Sequence, residues 1–109
     1  MSKQVLGEFE QIVLLSVVRL GDGAFGRAIY EELARLSITD VTITAVYVTL
    51  SRLEKKDFVS VQLATPAGSG REQKLFAIEP AGIAALQRSR EPLARFWAGV
   101  EVGEDQASR

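Results

Sequence analysis

The sequence has neither cysteine nor histidine. The first absence rules out disulfides and thiolate metal sites, and the second removes the commonest acid–base side chain and the usual zinc ligand. Ser-His and Cys-His nucleophile pairs and hydrolytic zinc centres go with them. Paired carboxylates, an activated lysine or a magnesium-phosphate site would still be open to an enzyme. The acidic residues, however, stand singly or on expected solvent faces, where charge ordinarily just solvates a surface. The chain is therefore read as a non-enzyme without cofactor or metal. Charge of one sign is also lacking. Thirteen Lys and Arg stand against 14 Asp and Glu, a net charge of −1, so composition alone does not advertise a nucleic-acid partner. No apolar run approaches the roughly 18 to 20 residues that span a bilayer. The opening segment carries Glu8 and Glu10 and has neither a basic start nor a small-residue cleavage site. The expectation is a soluble, cytoplasmic chain with no leader and no membrane partner.

What is present suits one domain: 109 residues with 47% hydrophobic content can bury a single modest core. Residues 7–20 place Phe9, Ile12, Val13, Val17 and Leu20 at helical spacing, with Gly21 as a stop. Leu14, Leu15 and Val18 make this helix apolar around most of its circumference, which reports burial in a core or against a partner alike. The stretch Gly21-Asp22-Gly23-Ala24-Phe25-Gly26 lacks the Gly-Lys-Ser/Thr ending and the preceding strand of a phosphate loop, and reads as a turn. A second helix, over residues 25–36, sets Phe25, Ile29, Leu33 and Leu36 on one face and Glu31, Glu32 and Arg35 on the other. Residues 37–41 form a connector rich in β-branched side chains, with room for one brief strand.

A third helix is expected over residues 42–56, with Thr42 as N-cap and Lys55 and Lys56 at the negative end of its dipole. Ile43, Val46, Leu50 and Leu53 make one apolar stripe; Thr44, Ala45, Val48, Arg52 and Lys55 lie opposite. Val59-Ser60-Val61-Gln62-Leu63 alternates as a strand does. A loop of small residues, 64–70, and a return strand over 73–78 complete a hairpin with Arg71 and Lys74 beyond its tip. Pro80 suits the first turn of a last helix, for which Glu79 is a mediocre cap. There Ile83, Leu86, Leu93, Phe96 and Val100 follow a 3.5-residue seam with Arg90 in the missing place. Pro92 should kink or break that helix. The expected fold class is mainly α with a small β-hairpin, the order of a winged helix-turn-helix. It divides into a DNA-binding unit over 1–78, a dimerisation helix over 79–102 and a disordered tail over 103–109.

Several short motifs carry a family resemblance. Phe25-Gly26 followed by Ile29, then Tyr47-Val48-Thr49-Leu50-Ser51-Arg52-Leu53-Glu54, then residues 71–76 ahead of Ile78 and Gly82, resemble the PadR family of transcriptional regulators across residues 6–100. The chain departs from the family pattern in three places. Val48 replaces a proline often found after the tyrosine, Asp57 stands where a glycine usually opens the wing, and Glu79 replaces a threonine. The resemblance implies a DNA-binding regulator, by family habit a repressor, and supports a phosphate contact for the tyrosine, here Tyr47.

The third helix is the candidate for the major groove. Thr42, Thr44 and Ala45 are small enough for close approach, and the threonines can donate hydrogen bonds; Val48 lies on the same face. Arg52 is assigned to phosphate rather than guanine, because roughly half to two-thirds of protein–DNA hydrogen bonds go to the backbone. Arg71 and Lys74 would reach neighbouring phosphates from the wing. Between Arg52 and Lys74 five basic residues meet three acidic ones, a thin excess, so binding should need a homodimer on a palindromic operator. Phe9, Leu86, Leu93, Phe96, Trp97 and Val100 are the candidate dimer contacts. Some short members of the family hold flat aromatic effectors between tryptophans, which implies a planar aromatic small-molecule effector near Trp97 and Phe96, although Trp97 sits about one turn further along than in those members. The competing reading is a winged-helix protein–protein interaction module that has lost DNA binding, favoured by the acidic balance, Asp57 and the sparsely charged wing.

Overall fold

The computed structural model describes residues 6–36 and 40–106. Helix α1 spans Glu8–Leu20, α2 Gly26–Arg35 and α3 Ile43–Lys55; strands β1 (Val59–Ala64) and β2 (Gln73–Ile78) follow, and α4 runs over Pro80–Trp97. The strands pair antiparallel from Val59 opposite Ile78 to Ala64 opposite Gln73. A third edge comes from the turn before α2, where Phe25 bridges Leu75 and the Phe76 N–H donates to the Ala24 carbonyl at 2.9 Å. The wing is thus tied to the helical part by backbone, and the brief strand lies before α2. In the 37–41 connector, residues 37–39 fall outside the described residues and Val41 is not in a strand.

The core is where the three helical stripes meet. Val13, Leu14 and Val17 of α1, Ile29 and Leu33 of α2, and Val46, Leu50 and Leu53 of α3 close on one another, with Phe58, Val59 and Phe76 from the wing's base. Thr42 caps α3 as expected, its Oγ1 accepting from the Ala45 N–H at 3.0 Å. The stripe on α3 is one position wider than its apolar residues, since Thr49 is buried beside them.

Periodicity misplaces one charge. Glu32, expected on the solvent face of α2, is buried, accepting from Arg19 Nε at 2.6 Å and Arg35 Nη2 at 2.9 Å. A carboxylate shared by two guanidiniums can be buried because its charge is met where it sits. A second tie joins the start of α1 to the end of α3, with Glu10 accepting from Lys56 Nζ at 3.2 Å and from the Gly7 N–H at 3.1 Å. The two guanidinium hydrogen bonds hold the Glu32 carboxyl below its ordinary pKa. At Glu10 burial pushes upward, but the Gly7 N–H and Lys56 together outweigh it and the pKa falls. Lowered carboxyl values add stability that is complete above the unfolded value of about 4.3 and is lost as pH falls through the folded values. Urea midpoints should therefore decline below about pH 4.3, and Glu32→Gln should lower the neutral midpoint while flattening that decline.

Asp57, in the turn between α3 and β1, has φ 63°, the left-handed region. An L-residue there costs about 1–2 kcal/mol, less for aspartate, which tolerates it. Glycine removes that cost but loses more freedom on folding, about 0.5–1 kcal/mol. Asp57→Gly is expected to raise stability by at most about 0.5 kcal/mol net, read as a small upward shift in thermal melting.

At the far end, α4 passes through Pro92 without a break. The carbonyl that Pro92 leaves without its helical donor belongs to exposed Arg88, where water can replace the lost bond. The helix stops at Trp97, short of the expected 102. Gly99 turns the chain at φ 73°, so Val100 lies beyond the seam rather than on it. In the tail Glu104–Gln106 make a single 3-10 turn, where disorder was expected, with the Gly103 N–H donating to Gln106 Oε1 at 2.8 Å. Residues 107–109 of that tail fall outside the described residues.

Candidate nucleic-acid interface

Burying Val46, Thr49, Leu50 and Leu53 turns the opposite side of α3 outward. Thr44, Val48 and Arg52, spaced four apart, form one exposed row along this helix, which is about 20 Å long. Ser51 and Lys55 are exposed beside the row and Ala45 is half-buried at its edge. The Thr42 oxygen is engaged as the cap, which leaves its O–H as a donor, whereas the Thr44 hydroxyl has no hydrogen-bond partner among the described residues. Six sequence-predicted residues therefore lie on one helix and its N-cap, and five of them, Thr42, Thr44, Tyr47, Val48 and Arg52, are exposed.

Tyr47 is placed by Gly26. The outer end of the tyrosine ring, Cε1, Cζ and Oη, lies against the first residue of α2 so closely that a side-chain carbon at Gly26 would collide with it. The contact makes Gly26 and Tyr47 a matched pair in this chain. Tyr47 thereby closes one wall of a cleft of ≈ 950 Å³ between α2 and the wing, whose rim also carries Arg27, Glu31, Arg71 and Lys74. The wing tip is held by Ser69, whose Oγ accepts from the Arg71 N–H at 3.0 Å. Arg71 and Lys74, assigned to the wing from sequence, are thus brought to the same cleft as Tyr47.

Charge is distributed unevenly despite the net balance. Among the described residues Arg19, Arg27, Arg35, Lys56 and Arg95 each have a carboxylate within 4.0 Å. Arg52, Lys55, Arg71 and Lys74, all on α3 or the wing, have none, and Arg88 and Arg90 on α4 are the other two. Four of the cations on this face are thus left without a close carboxylate, whereas Arg27 at its edge is paired with Glu31. Lys55 and Arg27 were not among the sequence candidates. Lys55 sat on the correct helix face, and only the folded arrangement brings Arg27 near the wing.

The other predicted group separates into pieces. Phe9 and Leu86 are partly buried against their own core, while Leu93, Phe96 and Trp97 are exposed by 63%, 81% and 54%. Leu15 and Val18 on α1 are also exposed, so the all-round apolarity of that helix reflects a core on one side and an open face on the other. Leu15, Leu86, Arg90, Leu93 and Trp97 line a cleft of ≈ 700 Å³ between α1 and α4. Phe96 does not line it; with Pro92 and Arg95 it lies on a different, smaller depression of ≈ 240 Å³. The pairing of Trp97 with Phe96 about one effector is thus not formed within a single chain. Residues one apart on a helix point about 100° apart.

The sequence matches the family profile described as "Transcriptional regulator PadR-like family" over residues 14–88, from the middle of α1 into α4. The chain belongs to the PadR-like family. Its members are transcriptional regulators and not enzymes. Solved PadR structures share the fold. A PadR family transcription regulator from hypervirulent Clostridium difficile R20291 superimposes with a TM-score of 0.66 at 18% identity, over 83% of this chain and 92% of that one. A PadR-like regulator from Bacillus cereus gives 0.70 at 18% identity, over 83% of this chain and 84% of that one. The Aeropyrum pernix ORC1 protein, solved in complex with DNA, gives 0.61 at 24% identity over 84% of this chain but only 26% of its own. Among curated proteins none matches. At these identities the likeness establishes the fold alone, a winged helix-turn-helix followed by a C-terminal helix. Among the described residues no helix is long and apolar enough to cross a membrane.

Proposed function

We propose that this PadR-like chain regulates transcription as a cytoplasmic homodimer on a palindromic operator, laying α3 in the major groove and the wing along the adjacent backbone. The observation that carries the reading is the set of four cations without a carboxylate within 4.0 Å, Arg52, Lys55, Arg71 and Lys74, framing the exposed Thr44–Val48 row. In a chain of net charge −1, cations left free on one face are the feature that a phosphate backbone would use. Thr42, Thr44, Ala45 and Val48 serve the groove floor, and Tyr47, Arg52, Arg71 and Lys74 the phosphates. The assignment has support from the Aeropyrum pernix ORC1 protein, which was solved in complex with DNA and carries this fold in 26% of its chain.

The dimer uses the open face of α1 and α4, chiefly Leu93, Phe96 and Trp97, with Phe9 and Leu86 beneath; Val100 contributes from the turn after the helix. Such an apolar surface on so small a chain is the mark of a partner. Repression follows from occupancy of the operator. A planar aromatic effector fits the cleft beside Trp97 and Leu93, with Phe96 reaching it only from the second protomer. Selection of bound duplexes from random sequence tests the regulator reading. The wild type should enrich an inverted repeat. Arg52→Ala should enrich the same repeat with roughly 10-fold weaker affinity, as a phosphate contact does. Recovery of unenriched sequence together with no salt-dependent binding would instead favour the interaction module.

A further inference from the structure

Among the residues around the cleft between α2 and the wing is one cation that neither motif nor periodicity singled out. Arg27 projects from the first turn of α2, 63% exposed, with its Nε 3.5 Å from the Glu31 carboxylate one turn on, itself 66% exposed. We infer that Arg27 is a seat for a DNA backbone phosphate and that Glu31 guards it, an inference that rests on the DNA-binding reading above.

Convergence is the first argument. Three separate elements send phosphate-binding groups to one cleft: Arg27 from α2, Tyr47 from α3, and Arg71 and Lys74 from the wing. Tyr47 is placed on that wall by the packing of its ring on Gly26, the residue next to Arg27. Docking geometry is the second argument. In a helix-turn-helix the second helix of the pair enters the groove while the first crosses the backbone. Here α3 is the second helix and α2 the first, so the strand flanking the groove passes the turn that carries Arg27.

The state of the ion pair is the third argument. Arg19 and Arg35 are committed to Glu32 at 2.6 and 2.9 Å, whereas Arg27 is held only by a long, solvated contact within its own helix. A pair of that kind contributes little in water and is easily exchanged. A phosphate offers the guanidinium a charge-assisted, two-point acceptor. Among the described residues Glu31 is the sole carboxylate lining the cleft, so it both occupies Arg27 in the free protein and repels an incoming phosphate. Binding therefore swaps Glu31 for DNA at Arg27.

The test is fluorescence anisotropy of a labelled duplex of mixed sequence, titrated with the full chain between about 50 and 200 mM chloride. Arg27→Ala should weaken binding roughly 10-fold on every sequence and reduce the log–log salt slope by about 0.9 per protomer. Arg27→Lys should keep the slope, and Glu31→Gln should strengthen binding roughly three-fold. Thermal melting of all three variants should match the wild type, since both side chains are exposed. If the wild type binds with a clear salt slope but Arg27→Ala matches it, or Glu31→Gln fails to tighten it, the phosphate seat and its guard are overturned while the regulator reading stands. A wild type without salt-dependent affinity overturns both.

Discussion

Gly82→Ala should cost roughly 2 kcal/mol and lower the melting temperature by about 10 °C, the largest loss of fold stability expected from a single methyl group in this chain. Glycine within a helix is ordinarily unfavourable, and alanine there gains about 1 kcal/mol of helix propensity. At Gly82 the gain is outweighed. The added carbon would strike the Phe58 carbonyl oxygen and would sit 3.0 Å from Ile78 Cγ1 and 3.2 Å from the Phe58 carbonyl carbon. The obstacle is backbone, and it is fixed at its other side, because the same oxygen accepts from the Glu79 N–H at 2.9 Å. Relief requires α4 to lift off the base of the wing, which opens the packing around buried Phe58 and Ala85. Gly26→Ala makes an instructive contrast, since there the new methyl meets a side chain, the outer end of the Tyr47 ring, rather than backbone. Far-UV circular dichroism during heating reads both. A Gly82→Ala melt equal to the wild type would mean that α4 is not seated against Phe58 as described.

The second large effect concerns assembly. Leu93→Glu combined with Trp97→Glu should convert the proposed homodimer to monomer and reduce operator affinity by about 100-fold, as expected when two linked binding events become one. Both side chains are already exposed within a protomer, so the charges leave its own core untouched. The loss arises because carboxylates brought to an apolar interface must be desolvated without partners. Sedimentation at micromolar concentration distinguishes the two states. A wild-type monomer under those conditions, or a double variant that still sediments as a dimer, contradicts the assignment of this face.

Much of the helical frame was legible because its cause is local. The Ile43–Val46–Leu50–Leu53 spacing and the Thr42 cap depend on residues within a turn or two, and the alternation from Val59 marks a strand by itself. What escaped was set by distant contacts. Glu32 looks like a solvent-facing charge until Arg19, on another helix, is brought against it. Phe25 looks like the start of a helix until Leu75 supplies a strand partner. The end of α4 was overrun because Val100 continues a seam by spacing, whereas Gly99 turns the backbone first. The candidate site was legible to the same degree. The row on α3 could be read from one helix, but Arg27 joins Tyr47 and the wing only through the fold.

The absence of cysteine allows a direct test of where α3 goes. A single Thr44→Cys substitution, or Asp105→Cys in the C-terminal turn beside Trp97, gives a unique thiol on an otherwise thiol-free chain. Each is mixed with selected duplex carrying a disulfide-activated tether on a major-groove base edge. The account predicts rapid, position-dependent cross-linking through residue 44 and none through residue 105. Cross-linking through residue 105 alone, or a duplex that binds while residue 44 remains freely reactive towards a small thiol reagent, would contradict it.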